Sequence, residues 1–585
     1  MDKYLKEYAV SDEFHPYLEN LSENAKKKER IPFIGRESEL EAVKETLLRK
    51  LKSNLLLVGK PGVGKTGLIT KLAEKINAGD VPSPLKDKII FELSMNRFFL
   101  SRDKGDQLVK DFERLFITLK QNREKLIIFL NEMEMEAIAG SHGDEQSLKI
   151  QNLLKSYFIT RDMKLIAATT PEYYYKFIKS DEFLSMNFSV VFLNEPDEDE
   201  MLNILEGTSG YFEDYYSLKI KKRLFKKICL LSKTFIPHEA FPRKGVDLLD
   251  ISCSKSSVRG RKELEEEDVY KSIAEISGLP VEIIKLDQKK HTSGILKFLK
   301  NNIVNHNPAL EEVARIIKLS RLASKNERKR PEGIFLFLGP AGVGKSYTAK
   351  KIAEYLYGSA SKLRTIDLAG YKKPEDKKNL IIDADGNMGP LIKEIEMNPF
   401  SVILFENINK AHSSILSFLG EKLSKGEIID YSGKKHCLTT KIFILSLTHI
   451  GNEVFESQIG FIKGNKVLSE LVIPPKILNV LDWVDEIIEF LPLNEESLKQ
   501  IAKMEINGIK EEVKIKFGSK LVFEKNIIEV LSKGAAASGG SAHKLVEFIE
   551  REIRGKLIDL VTSGKKSSNE YKISFVDNQI SIKEI

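Results

Sequence analysis

The sequence predicts an α/β protein in which one parallel-sheet, phosphate-binding module is built twice. Two observations carry this reading. First, GKPGVGKT at 59–66 and GPAGVGKS at 339–346 each follow an apolar strand-like run, NLLLV (54–58) and GIFLFL (333–338), and each opens a helical pattern, LITKLAEKI and YTAKKIAEYL. Second, short apolar runs alternate with helix-period segments after each loop, the pattern of parallel strands joined by helical crossovers. In the first copy the runs are KIIFEL (88–93), KLIIFLN (125–131), KLIAATT (164–170) and SVVFL (189–193). In the second they are LRTIDL (363–368), SVILFE (401–406), KIFILSL (441–447) and DEIIEF (485–490).

The loops dictate a chemistry. Glycines let successive backbone N–H groups close around phosphate oxygens at a helix amino end, where the dipole favours an anion. The candidate cradles are Gly59, Pro61, Gly62, Val63 and Gly64 in the first copy, and Gly339, Ala341, Gly342, Val343 and Gly344 in the second. Lys65 and Lys345 would reach the outer phosphates of a nucleoside triphosphate, and Thr66 and Ser346 would hold Mg2+. Helix-rich tracts without further strong strands, 198–285 and 494–570, trail the two sheets and read as small lids. The expected division is an N-terminal segment (1–30), a first large domain (31–196) and its lid (197–285), a linker (286–300), a second large domain (301–493) and a C-terminal lid (494–585).

Composition fits this plan. The chain has 585 residues, 42% of them apolar, enough for several cores. Its net charge of +7 comes from 92 basic and 85 acidic residues, a surface of both signs rather than a basic field. The basic runs AKKKER (25–30) and KNERKR (325–330) lack the interleaved aromatics that stack on bases, so no nucleic-acid partner is expected. Cys229, Cys253 and Cys437 lie far apart, which argues against a disulfide framework or a zinc site and for a reducing compartment. The amino terminus has no apolar signal core and no window reaches eighteen apolar residues, so neither export nor membrane spanning is expected, and the expected location is cytoplasmic.

The order of motifs, with IGRESELEAV (34–43) before the first loop and RPEGIFLFLGPAGVGKS (330–346) around the second, resembles the double-ring AAA+ unfoldases of the Clp family from about Leu18 to the carboxyl end. The resemblance implies two tandem AAA+ P-loop NTPase modules, each a parallel-sheet large domain plus a small helical lid, with ATP and Mg2+ as cofactors. Phe33 and Ile34, where the first of these segments begins, join the candidate nucleotide contacts. Three features resemble the ClpA branch. LENLSENAKKKERIPFIGR (18–36) matches the segment before its first module, and the first lid, including FPRKGVDLLD (241–250), is too short for the coiled-coil insertion of the ClpB type. The third is Ile459-Gly460-Phe461, in the place of the loop that docks on the ClpP peptidase; exposed, this pair suits a partner's apolar pocket, and the alternative is a buried loop anchor. The chain begins where the family's amino-terminal substrate and adaptor domain has already ended, so that domain is expected to be absent.

Departures from the family's pattern are equally informative. In SVILFENINKAH (401–412), Glu406 stands where the family has the Asp that organises the magnesium shell. Asn407 stands where it has the Glu that orients and deprotonates the attacking water. In KLIIFLNEMEMEA (125–137) the defect is reversed: Asn131 replaces the Asp and Glu132 retains the base. A bland role exists too, since asparagine can cap a strand end and bind hydrated magnesium weakly. At the arginine-finger places stand Met186-Asn187 and Trp483, none of which replaces a guanidinium. Thr169 or Thr170 serves as the polar sensor of the first module, His449 falls where the second expects Asn, and His543 stands where the last lid carries a sensor arginine. Asp103, between Arg102 and Lys104, replaces the tyrosine that grips substrate in the pore, the alternative grip being Phe98 or Phe99; the second counterpart, LIIDADGNMGPL (380–391), is shortened and holds no aromatic.

The resemblance and its departures together imply a ClpA-like protein that binds ATP but hydrolyses it slowly. It would act as a divergent or regulatory ring subunit in a homo-hexamer or a mixed ring with a Clp paralogue, with a ClpP-type peptidase as candidate partner and protein substrates left open. The alternative is an active unfoldase that delivers proteins to ClpP.

Overall fold

The computed structural model describes residues 12–27, 30–94, 106–131, 163–322, 330–383, 386–430, 434–449, 475–524, 526–537, 540–557, 570–576 and 579–584. Contacts divide the chain into two units, 1–276 and 277–585, each taken by itself below.

The first unit is built on six strands: β1 (Leu18–Asn20), β2 (Asn54–Val58), β3 (Ile89–Leu93), β4 (Leu126–Leu130), β5 (Lys164–Thr169) and β6 (Phe188–Phe192). They lie in the order β1-β3-β4-β5-β2-β6 and are parallel except for β1, which pairs antiparallel with β3 at the edge. The apolar runs are continuous because both faces are covered. Leu55, Leu57, Ile127 and Phe129 face the helices α1 (Glu37–Leu48) and α2 (Lys65–Asn77) through Val43, Leu68 and Leu72. Leu56, Val58, Ile128 and Leu130 face α3 (Asp106–Gln121) through Phe112, Leu115 and Leu119. At about 1.5–3 kcal/mol for each fully buried side chain of this size, this packing fixes the strand ends from which the site projects. The lid holds α4 (Glu198–Tyr216), α5 (Arg223–Phe235), α6 (Arg243–Val258) and α7 (Glu266–Ser277), and α4 starts on a capping box between Asp197 and Glu200.

The second unit repeats the plan. β7 (Gly333–Pro340), β8 (Leu363–Asp367), β9 (Val402–Glu406), β12 (Ile442–His449) and β13 (Glu486–Glu489) form a parallel sheet in the order β13-β7-β12-β9-β8. A small hairpin, β10 (Glu427–Ile429) with β11 (Lys435–Cys437), stands apart from it. The sheet is preceded by α8 (Asn307–Leu322); α9 (Lys345–Tyr357) follows the glycine loop, and α10 (Ser413–Lys425) follows β9. Ile415 and Leu419 of α10 pack with Phe405, Phe443 and Trp483 in one core. A β-carbon at Gly420 would lie 2.4 Å from Trp483 Nε1, so the indole rests on the helix backbone. Trp483, which the sequence places at an arginine-finger position, is therefore a core residue.

The last lid differs from the helix-rich expectation in its content. The last lid, with α11 (Glu495–Phe517), α12 (Ile527–Ala537) and α13 (Ala542–Ile549), also carries a three-stranded sheet: β14 (Lys520–Phe523) runs parallel to β15 (Glu570–Val576), which turns back into β16 (Gln579–Glu584). The run KLVF was too short to read as a strand alone, and its partner lies far downstream. In the second unit, Pro280 and Ile283 pack on the left-handed Gly358 that terminates α9. Among the described residues, no helix is long and apolar enough to cross a membrane.

Trp483 is the chain's single tryptophan, so its emission reports the second core. Native protein should emit at short wavelength and shift red on denaturation, and Trp483→Ala should cost about 3–5 kcal/mol in denaturant titrations followed by circular dichroism. A native spectrum typical of water-exposed indole would contradict this packing.

Candidate functional site

Each glycine loop sits at the carboxyl end of a strand buried within its sheet. In the first, Gly62 and Gly64 take left-handed φ values of 88° and 98°, and Gly64 precedes α2 directly. At Gly59 a β-carbon would fall 2.6 Å from the carbonyl oxygen of Leu193, so only glycine fits there. Lys65 is buried and donates to the carbonyls of Gly59 and, at 2.9 Å, Lys60. Val63 is in the core, while Pro61 and Thr66 are exposed. The second loop matches: Gly342 and Gly344 have φ values of 77° and 108°, and a β-carbon at Gly339 would fall 2.4 Å from the Phe490 carbonyl oxygen. Lys345 Nζ donates to the carbonyls of Gly339 at 2.7 Å and Pro340 at 2.6 Å. Burial pushes Lys345 down to about 8, against the opposing attraction of Glu406. Val343 is buried, and Ala341 and Ser346 are exposed. Glycine turns, a helix amino end, an ammonium and a hydroxyl in this order fit a magnesium-bound triphosphate.

The lids reach both loops. Arg243 N–H donates to the Gly62 carbonyl at 3.3 Å, and Ala542 N–H to the Gly342 carbonyl at 2.9 Å. The starts of α6 and α13 are thus equivalent, and His543, exposed after Ala542, corresponds to Lys244, buried after Arg243. The Arg243 guanidinium itself pairs with Asp247 at 3.3 Å. Sequence reasoning missed these two cations; the signal was the basic pair in FPRKG just before a helix. Lys60, inside the first loop, pairs with Glu195 at 2.9 Å. Burial would raise Glu195, but Lys60 and the Phe241 N–H outweigh it and hold that carboxyl below its usual range.

Phe33 and Ile34 bridge loop helix and lid. A β-carbon at Gly67 would lie 2.5 Å from the Phe33 ring, and one at Gly207 of α4 would lie 2.7 Å from Ile34. The second unit has a counterpart that sequence reasoning did not name. Asn305 and His306 take left-handed φ just before α8, as Gly35 and Arg36 do before α1. His306 Nε2 lies 3.1 Å from the Val343 carbonyl oxygen, its ring packs on Phe490, and burial pushes it below the ordinary histidine value.

The strand ends carry the acids. Ser346 Oγ donates to Glu406 Oε1 at 2.8 Å, so the candidate magnesium hydroxyl and carboxylate of the second module stand together. Asn407 has a left-handed backbone, φ 55°, and its Nδ2 donates to Asp367 Oδ1 at 2.8 Å. Hydrogen bonds from the Ala369 N–H and from Asn407 hold the Asp367 carboxyl below its usual range. In the first module, Asn131 Nδ2 donates to Glu92 Oε1 at 3.1 Å. In both units, then, an asparagine following or ending the acid-bearing strand is tied to a carboxylate on the adjacent strand.

Other expected positions divide. Thr169 is buried in β5 and its carbonyl accepts from Gly59 N–H at 3.1 Å, whereas the Thr170 hydroxyl caps the next helical turn by accepting from Tyr173 N–H at 3.3 Å. His449 ends β12 in register with Pro340. Met186 is exposed, and Asn187 Nδ2 donates to the Phe183 carbonyl at 2.8 Å. Within 380–391, Asp383 N–H donates to the Asn387 carbonyl at 2.9 Å and Gly389 N–H to the Ile381 carbonyl at 2.8 Å. Glu132, Asp103 with Phe98 and Phe99, and Ile459, Gly460 and Phe461 lie outside the described residues.

Known proteins share this plan. A family model described as "ATPase family associated with various cellular activities (AAA)" matches residues 55–178, an "AAA lid domain" matches 197–299, and an "AAA domain (Cdc48 subfamily)" matches 330–472. The ATP-dependent Clp protease ATP-binding subunit ClpE of Lactococcus lactis is 27% identical over 559 residues, 84% of this chain and 74% of the relative. ClpL of Staphylococcus aureus is 26% identical over 613 residues (93% and 85%), and ClpE of Bacillus subtilis 26% over 609 (92% and 86%). The S. cerevisiae Hsp104–ADP complex superposes with a TM-score of 0.71 at 23% identity, covering 96% of this chain and 98% of that one. The chain thus carries two AAA domains and an AAA lid, with two lid-contacted glycine loops, and over more than four fifths of its length it is similar to double-module Clp ATPases.

Proposed function

We propose that this chain is a ClpA-like ATPase that binds ATP with Mg2+ in at least its second module, hydrolyses it slowly, and serves as a divergent or regulatory ring subunit in Clp-type protein quality control. One observation carries the reading: Ser346 and Glu406 keep the metal side of the site at 2.8 Å, while the neighbouring Asn407 spends its amide on Asp367. Bound Mg2+ would neutralise charge on the outer phosphates. Lys345 would hold the terminal phosphate oxygens, and Ser346 with Glu406 the metal. A carboxamide at Asn407 can orient water but cannot take its proton at neutral pH. Absence of an arginine finger costs roughly 10³–10⁵ in rate in GTPases, and the residue aligned with that finger, Trp483, is in a core. The lack of an aromatic in 380–391 supports a weak grip on substrate.

Assembly as a homo-hexamer or as a mixed ring with a Clp paralogue, docking on a ClpP-type peptidase through Ile459–Phe461, and a cytoplasmic location complete the proposal. ATP would then act as a conformational signal that stabilises the ring. The competing reading, an active unfoldase feeding ClpP, is favoured by the relatives, which are ATP-binding subunits of Clp proteases. Protein purified without added nucleotide should carry ATP rather than ADP, and its steady-state ATPase should be low with or without casein. Robust, casein-stimulated turnover abolished by Lys65→Ala or Lys345→Ala would establish the unfoldase instead.

The phosphate grip should also depend on pH. Lys345 is charged below about 8 and largely neutral above it before ATP binds, so binding above that pH must take up a proton. In a Lys65→Ala background, the Kd for a fluorescent ATP analogue should stay flat from pH 6.5 to 7.5 and rise by up to about tenfold per pH unit above 8. A flat profile to pH 9.5 would contradict the burial described for this lysine.

A further inference from the structure

The ends of β8 and β9 carry an arrangement that the loss of a base does not by itself require. Asp367 and Glu406 are register partners on neighbouring parallel strands, so their side chains leave the same face of the sheet. Glu406 turns to Ser346. Asn407, one residue on, turns through a left-handed backbone and sends Nδ2 to Asp367 Oδ1, which is itself fixed by the Ala369 N–H at 2.9 Å. A carboxylate can only accept, so it forces the carboxamide to present its nitrogen to Asp367. A hydrogen bond to an ionised acceptor favours that flip over the reverse by more than about tenfold. The carbonyl Oδ1 of Asn407 is thereby turned away from the edge strand β8, and among the described residues it has no protein donor.

We propose that Asp367 is a positioning residue that locks the Asn407 carboxamide with Oδ1 free to accept a hydrogen bond from the attacking water. The inference rests on the reading that the second module binds ATP. A carboxamide orients the attacking water in GTPases, where the loose transition state asks more for placement than for a strong base. In this step the water oxygen bonds to the terminal phosphorus while the bond from phosphorus to the ADP oxygen breaks, its electron pair leaving with ADP. The water's proton passes to an oxygen of the phosphate formed. Asn407 remains neutral throughout, and Asp367 keeps its charge.

The test uses the full chain in the Lys65→Ala background, where turnover reports the second module. Asp367→Ala and Asn407→Ala should each lower kcat by about tenfold, with the Kd for ATPγS within about twofold of the parent, and the double variant should fall no further than Asn407→Ala. Asp367→Asn retains an acceptor oxygen and should recover most of the lost kcat. Multiplicative losses, a deficit in Asp367→Asn as deep as in Asp367→Ala, or unchanged kcat in all variants would overturn the positioning role. Tight ATPγS binding by the parent without turnover above a Lys65→Ala/Lys345→Ala control would overturn it too, while leaving ATP binding intact. Failure of the parent to bind ATPγS would instead overturn the underlying reading, and the positioning role with it. Unaltered ATPγS affinity in each variant also shows that the site remains folded.

Discussion

A backbone approach open only to glycine holds each nucleotide site together. The carbonyl oxygens of Leu193 and Phe490 stand where β-carbons on Gly59 and Gly339 would have to go, and the same two residues donate their N–H groups to the ends of β2 and β7 at 2.8 Å. The segment leaving the last strand is therefore stitched to the strand that enters the loop. That stitching places Gly62 and Gly342 against the lids and turns Lys65 and Lys345 inward. A methyl group at either first glycine would prise the last strand from the loop strand and move every downstream contact.

On this frame the two modules have lost opposite acids but answered similarly. Asn131 and Asn407 each hand their amide nitrogen to a carboxylate one strand over, Glu92 and Asp367. Removing a carboxylate from a strand end usually leaves its former neighbours without a charge to solvate. Here each strand end stays acidic: Glu92 stands beside the neutral Asn131, and in the second module Glu406 faces the phosphate loop while Asp367 anchors the neutral Asn407. An acidic strand end suits a divalent cation, whereas a neutral amide in the line of attack suits slow chemistry.

Much of this was legible in the chain. The strands and both loops announce themselves locally, because a buried parallel strand is a continuous apolar run and a phosphate loop needs glycines at fixed spacing. What was not legible depends on adjacency in space. β14 finds its partner about fifty residues later, and β1 pairs with β3 across the whole first loop and its helix. Glu92 and Asp367 sit at strand ends with nothing in their own segments to mark them as partners of asparagines some forty residues away. Arg243 and His306 meet the loops only after lid and sheet have packed. Trp483 was misplaced for a different reason: aligned with a surface residue of the family, it is the kind of side chain that a core absorbs, and α10 offers it a glycine to rest on.

The hydrogen bonds from Arg243 and Ala542 to the loop carbonyls have a mechanical meaning. They join each lid to its cradle through rigid main chain rather than through side chains that could swivel. A lid that tilts must tug the second glycine of the loop, Gly62 or Gly342, and a loop that reshapes around phosphate must lever the lid. Torque can thus pass between nucleotide and lid in either direction without any hydrolytic event, which is what a subunit needs if its task is to report occupancy rather than to perform work.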